Sequence, residues 1–516
     1  MHRQGTTPGG KVRWKCQPRI DGKHEFCYTT TAPETKGVRT QAGDVKRPTK
    51  TPIFRRTLGG ATMLLITYAQ NGTPVHSKFM KTLEVCANHR NGDILVVPGR
   101  YKNPTSRWSA SQANEDYWAD EVQPYLCNQR KHLNSNLVLL GDIKVQTAGG
   151  NPLARKKALT HEESGIIGHP QLMMTTVPTA RAQMAKILTT TGACTVLNYT
   201  DTDVGKIGEF HHTIGAALVE IRGKEFHLRQ VNANKVTGEF IDLRDHYTPE
   251  GRKAAGRAKA LAMGDTHTDF IDPSVARATF GKGGMVEFFE PESLIWHDLD
   301  DNHAVNPHHV NDFTQALAKA KAGRTDPRAE LERAIQLVID NTPANAKSYI
   351  VWSNHNEMLM RWFKRTDPRT DPKNFRFWCE TGLHVDDQIK IGPNGTECPD
   401  AFVYWARRLL EGHKNIVVLD ERDKLIIGGI AMHMHGHNGP NGAKGSRKNL
   451  SEIGTKSFIA HGHGPGIWRS CYQIGTSTGR EAEYTHGPGG WMQTHGTLNA
   501  LNKRCLHHMI NGHYRG

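Results

Sequence analysis

The stretch Leu261-Ala-Met-Gly-Asp-Thr-His267 is a short apolar run that ends in Gly-Asp and delivers a carboxylate and an imidazole two residues apart. Four more segments share this design. Leu294-Ile-Trp296 runs into His297-Asp298-Leu299-Asp300-Asp301, and Tyr349-Ile-Val-Trp352 into Ser353-Asn354-His355-Asn356-Glu357. Ile426 to Ala431 leads to His433-Met434-His435-Gly436-His437, and Phe458-Ile-Ala460 to His461-Gly462-His463. Short apolar runs bounded by turn-forming residues read as buried strands. In an open α/β sheet, ligand-binding groups collect beyond the carboxyl ends of the strands, so these five ends are expected to converge on one crevice. A lone D-x-H or H-x-H is common on protein surfaces. Five in order, each behind a strand-like run, point to one metal site. A mixed Asp, Asn and His set suits Mn²⁺, Fe²⁺ or Zn²⁺ and not an all-oxygen Ca²⁺ cage. Two such ions, ~3.5–4 Å apart and bridged by one carboxylate, make a hydrolytic centre.

The rest of the composition agrees with a globular enzyme. The chain has 516 residues, enough for two or three domains at roughly 100–200 residues each. Hydrophobic residues make up 37%, and 51 glycines bring the apolar share to a value that supplies a sizeable core. The longest clean apolar run, Met63 to Ala69, is far short of the ~20 residues of a membrane span. The N-terminal Met-His-Arg-Gln-Gly has no signal-peptide core. Nine scattered cysteines, an odd number, argue for a reducing cytoplasm. Membrane, secreted and fibrous classes are excluded on these grounds. A net charge of +15 points to an anionic partner. Seven of the 29 histidines fall between His433 and His495, a density that fits metal binding. Neither a G-x-x-x-x-G-K-[ST] loop nor a G-x-G-x-x-G after a strand is present.

Along the chain, residues 1–55 read as a basic extended arm, in which Cys16, His24 and Cys27 lack the spacing of a zinc site. Residues 56–250 read as an α/β domain of unknown role, with strands at 63–68, 93–97, 136–140, 194–198 and 216–221 and helices at 77–88 and 179–189. The basic, Gly/Ala-rich stretch 251–259 reads as a joint to a second α/β domain over 256–516. Helices are expected there at 309–322 and 327–340, the second with Asp326 as N-cap and Pro327 at its first position. Leu137-Val-Leu-Leu-Gly-Asp142 imitates the metal-binding segments, but Lys144 stands where a ligand is needed, so Asp142 reads as a strand-end carboxylate.

The order D-x-H, D-x-x-D, N-H-x-E, H-G and G/A-H-x-H resembles the calcineurin-like metallophosphoesterases over residues 258–480, about half the chain. Within that family it is most similar to the nuclease branch, which includes the SbcD-type exonucleases. The Gly-rich loop 435–446 and the tail Thr485-His-Gly-Pro-Gly-Gly-Trp491 look like tailed-phage members that degrade host DNA early in infection. The resemblance implies a β-sandwich of mixed sheets flanked by helices in four layers. It implies two divalent ions, Mn²⁺ first, with Mg²⁺, Fe²⁺ or Zn²⁺ as alternatives. Asp265, His267 and His463 would bind one ion, Asp298 would bridge, and Asn354, His435 and His461 would complete the second. His355 would stand beside the scissile phosphate, and water activated by metal would attack in line.

The chain departs from the pattern in its second and third motifs. His297 replaces the usual Gly before Asp298, and Asp301 stands where this branch often has a histidine. The catalytic, phosphate-positioning role at that point therefore falls to Asp301, or to His303 or His308. In the third motif, Ser353 and Asn356 stand where Gly and Asp are common, and no ligand is lost. His435 is chosen over His433 and His437 only because Gly436 follows it. Lys444, Arg447 and Lys448, in the loop between two ligand segments, are placed to meet a phosphate backbone. Trp468, Arg469 and Trp491 are further aromatic or cationic groups near the site, and Lys46–Arg56 resembles a backbone-binding arm. These readings converge on a metal-dependent DNA nuclease, phage-encoded, homo-oligomeric and acting in the bacterial cytoplasm. The alternatives are a phosphomonoesterase or cyclic-nucleotide phosphodiesterase on the same site, or a DNA-binding protein with a non-catalytic metal site.

Overall fold

The computed structural model describes the strand backbones at 2–6, 12–15, 26–29 and 45–46, then residues 61–100, 118–180, 183–393, 395–481 and 485–516. The chain divides into two units, Met1–Gln41 and Ala42–Gly516. The first carries an antiparallel sheet of His2–Thr6, Val12–Lys15 and Phe26–Thr29, where the sequence reads as an arm. Segments as brief as Val12-Arg-Trp-Lys15 are enough for hairpin pairing but too short to register as periodicity. The Cys16, His24 and Cys27 side chains, and nearly all of Lys46–Arg56, lie outside the described residues.

The second unit is built from mixed sheets flanked by helices. A six-stranded sheet runs in the order Ile416–Val418, Lys347–Ile350, Ser293–Trp296, Ala260–Ala262, Thr494–Leu498, Arg504–His508. Its first four strands are parallel and its last two antiparallel. A ten-stranded sheet joins Ile426–Ile427, Ile430–Ala431, Ser457–Ile459, Cys471–Gln473 and Gly466–Trp468 to Met173–Val177, Lys186–Thr190, Ser164–Ile167, Leu137–Leu140 and Arg130–Asn134. A four-stranded sheet places Ala61–Ala69 and Asp93–Pro98 in parallel, with the helix Ser77–Arg90 as the crossover.

Period-two alternation decides how these sheets pack. Leu64, Ile66 and Tyr68 point into one core with Leu137, Leu139, Ile187, Ala260, Ile295, Phe458, Tyr472 and Leu506, which come from all three sheets. The intervening Met63, Leu65, Ile94 and Val96 face the helix side chains of Phe79, Leu83 and Cys86. Leu294, Trp296 and Ile350 likewise pack under Leu331, Ile335, Phe402 and Trp405 on the helices Pro327–Asn341 and Ala401–Leu409. The helix at 327 begins as its sequence directs, with the Asp326 side chain accepting from Ala329 N. Among the described residues, no helix is long and apolar enough to cross a membrane, and Cys86, Cys127, Cys194, Cys379, Cys398, Cys471 and Cys505 are free thiols.

Three expectations are corrected. The segment 179–189 is not a helix: Lys186–Thr190 is a strand between Ser164–Ile167 and Met173–Val177, as its Ile-Leu-Thr-Thr run favours. Residues 194–198 make only isolated bridges, such as Val75 to Thr195. The division at 250 is not a domain boundary. Gly251–Ala254 is a strand paired with Asp245–Thr248, and Met173–Val177 hydrogen-bonds to Gly466–Trp468 across the expected joint. One core draws Leu64, Leu137 and Ile187 together with Ile295, Phe458 and Leu506, so neither half completes it alone. The fragment 256–516 is therefore expected to be insoluble or molten by circular dichroism and size-exclusion chromatography. A cooperatively folded fragment would restore the two-domain reading.

Candidate metal centre

All five apolar runs end at one place, but they come from two facing sheets and not from one open sheet. Asp265, Asp298 and Asn354 follow strands of the six-stranded sheet; His435 and His461 follow strands of the ten-stranded one. The parallel ladder continues beyond the strands into the ligand loops. Met263 N donates to Ile295 O at 3.0 Å, Thr266 N to His297 O at 2.9 Å, and His267 N to Asp298 O at 2.7 Å. From the opposite side, Asp265 N donates to Gly475 O at 3.0 Å and Ser477 N donates to Asp265 O at 2.8 Å. His461 N reaches Asp265 Oδ1 at 3.2 Å and ties the two sheets together through the carboxylate. Gly264 makes this possible, because a Cβ there would meet the Gly475 and Thr494 carbonyl oxygens at 2.9 Å and 2.8 Å. His495 accepts from Gly264 N through Nδ1 at 2.9 Å and holds the same loop from behind.

The backbones of four candidate ligands are strained. His267, Asp298, His461 and His463 have φ of 42°, 41°, 65° and 50°, a left-handed region that costs non-glycine residues of the order of 1–3 kcal/mol each. Such strain persists only where surrounding contacts fix it, and here the ladder does so.

Three overlapping groups could hold a cation: His267, Asp298 and His355; Asp298, His435 and His461; and Asp265, Asp298 and His463. Asp298 is common to all. Asp265 and Asp298 are 0% and 1% exposed, so their charges need compensation from within the protein. His463 Nε2 lies 3.1 Å from Asp265 Oδ2, and His435 Nε2 lies 3.1 Å from Asp298 Oδ2. Yet Asp265 Oδ2, Asp298 Oδ1, Asn354 Oδ1, both His435 nitrogens and His463 Nδ1 are buried without a hydrogen-bond partner. Close approach without hydrogen-bond alignment is what ligands around a shared cation require, so the residues fit a metal.

The electrostatics follow. Burial opposes ionisation of Asp298, but its neighbours, His435 above all and then His355 and His267, hold it well below the usual carboxylate range. Asp265 is lowered against burial mainly by His463. Burial would make His267 less basic, but Asp301, 2.8 Å from its Nδ1, carries it up to about 9. The same pairing takes Asp301, against burial, down to about 2. His437 and His461 are lowered by burial to about 3 and about 4, and His297 to about 3, so these rings are neutral at pH 7.

A cavity of about 640 Å³ opens over the cluster, lined by Asp298, Asn354, His355, His461 and His463, with His308 and His309 on its wall. His433 is excluded, since its Nδ1 lies 3.2 Å from Leu425 N, whereas His437 sits beside His461 with ring centroids 5.9 Å apart. Arg447 is half-buried, and its guanidinium donates to Gly464 O at 3.1 Å, which braces the His461–His463 loop. Lys444 and Lys448 are exposed and do not line the cavity. Asp142 pairs with Arg130 at 3.5 Å, as a strand-end carboxylate should. His212 is a core residue held by Tyr199 OH at 2.9 Å. Sequence reading noted His297 only as a departure from its motif, set His437 aside in favour of His435 and gave His495 no role; no local pattern marks His495 as a support for Gly264.

No family model matches the chain. It is 27% identical over 461 residues to Protein A1 of Escherichia phage T5, an alignment that spans 87% of this chain and 82% of that protein. The likeness links the chain to a bacteriophage protein over most of its length.

A ring held charged by Asp301 must lose its proton before it can bind a cation, so divalent-ion affinity should rise with pH until about 9. In chelated protein, the stability contributed by the His267–Asp301 pair is complete below about pH 6.5 and lost as pH rises through about 9. In Asp301→Asn, NMR titration should find the His267 midpoint far below 9. An unchanged midpoint would remove Asp301 as its cause.

Proposed function

We propose that this chain is a metal-dependent phosphodiesterase that cuts DNA, on the plan of the calcineurin-like metallophosphoesterases, in phage-infected bacterial cytoplasm. The observation that carries the reading is the position of Asp298, buried and common to every ligand group, as a carboxylate between two ions must be. Asp265, His267 and His463 would hold one ion with Asp298, and Asn354, His435 and His461 the other; Mn²⁺ suits this nitrogen-and-oxygen set. Bound there, the cations would bring the pKa of water toward neutrality and offset phosphate charge. A net charge of +15 and the likeness to a phage protein support a polyanionic substrate over a small phosphomonoester.

The chain's own residues would handle orientation and proton transfer. His355 Nδ1 lies 2.8 Å from Asp301 O. A carbonyl only accepts, so Nδ1 carries the proton and Nε2 is the atom left to serve the leaving oxygen. Asp301 acts as a positioning residue for His267 and His355, not as a phosphate contact, because its carboxylate is already engaged and would repel the anion. His303 and His308, which line the cavities over the cluster, are better placed for phosphate.

The test is degradation of linear and circular DNA with Mn²⁺, Mg²⁺ or EDTA, beside a generic phosphomonoester. Asp298→Ala should abolish cleavage, and His355→Ala should lower it by about 10²–10⁴-fold while the fold is kept. Monoester hydrolysis without DNA loss would assign a phosphatase. DNA binding with no hydrolysis of either substrate would leave a binding protein.

A further inference from the structure

Trp491 occupies an unusual place. Its ring stands close to perpendicular to that of His463, with centroids 4.1 Å apart and planes at 71°. It lines the cavity over the metal cluster, a second cavity of about 280 Å³ beside His267, Asp301 and Phe270, and a third of about 190 Å³ beside Gly487, Gly489 and Gly490. The first two also share His355, His463 and Asn306, so they form one trough that runs from the ligands along the indole. Gly487 and Gly489, which line the third cavity, have open space where a Cβ would stand. A half-buried indole in contact with a metal-binding imidazole, at the mouth of an open groove, is not packed as a core residue.

We infer that this trough is a nucleotide subsite in which Trp491 stacks on the base next to the scissile phosphate. The inference rests on the phosphodiesterase reading and deepens it. DNA strands carry flat, apolar rings at a fixed reach from each phosphate, and aromatic side chains accept any of them because every base presents a π-face. The His463 contact sets the register, since the ring that would grip the phosphate through its ion also abuts the ring that would take the base. Such a platform confers grip on a strand without sequence preference.

The test compares wild type, Trp491→Phe and Trp491→Ala on two oligomers, ordinary single-stranded DNA and an abasic deoxyribose-phosphate chain of equal length. Binding is read by fluorescence anisotropy in an Asp298→Ala background, and cleavage is read in the wild-type background with Mn²⁺. Wild type and Trp491→Phe should favour the base-bearing oligomer, and Trp491→Ala should lose roughly 5- to 150-fold in affinity for it, the range of base–aromatic stacking. Affinity for the abasic chain should not change. Equal losses on both oligomers, or no loss on either, would overturn the subsite; equal losses would make Trp491 a prop for His463. A base-dependent binding difference without any cleavage would sink the phosphodiesterase reading and leave the stacking site standing.

Discussion

Two carboxylates shut off from the surface, Asp265 and Asp298, set the terms for the rest of this protein. Each is fully buried beside imidazoles that approach to 3.1 Å without hydrogen-bond alignment. An isolated buried carboxylate is too costly to keep ionised, so the surrounding chain must supply positive charge. His435 and His267, both made more basic by neighbouring carboxylates, do so from within the protein, and a divalent cation would do so more completely. The same need explains why His267 is held charged by Asp301 while His297, His437 and His461 stay neutral. Only the first has a carboxylate of its own.

Holding such a set in place requires a rigid frame, and the parallel ladder provides it. Its hydrogen bonds run past the end of Ala260–Ala262 and Ser293–Trp296 into the loops that carry Asp265, His267 and Asp298. Four ligand residues adopt left-handed backbone conformations there, strain that free loops would relax. Segments far along the chain finish the frame. Gly475 and Ser477 clamp Asp265, His495 supports Gly264, and Arg447 braces Gly464. The last is instructive, because a cation in a Gly-rich loop reads as a phosphate contact and here acts on the protein's own backbone.

The part of the second unit that precedes residue 250 contributes structure to this site, not a separate module. Met173–Val177 extends the sheet that carries His435 and His461, and Leu64, Ile66 and Tyr68 fill the core beneath it.

Much of the site was legible in sequence, because each ligand segment is local: an apolar run, a turn and a polar group within about seven residues. Strand ends that carry Asp, Asn and His can be read from composition alone, and so can the helix at 327 from its Asp326-Pro327 start. The extent of the sheets could not be read this way. Pairing between Met173–Val177 and Gly466–Trp468 joins residues almost three hundred positions apart, and no local pattern encodes it. Nor could sequence place His495 behind Gly264, bring Arg447 to Gly464 or set Trp491 against His463. The sequence by itself determined which residues would collect and the chemistry they offer. The tertiary structure alone decided their distances, burial and charge states, because these depend on which segments meet across the core.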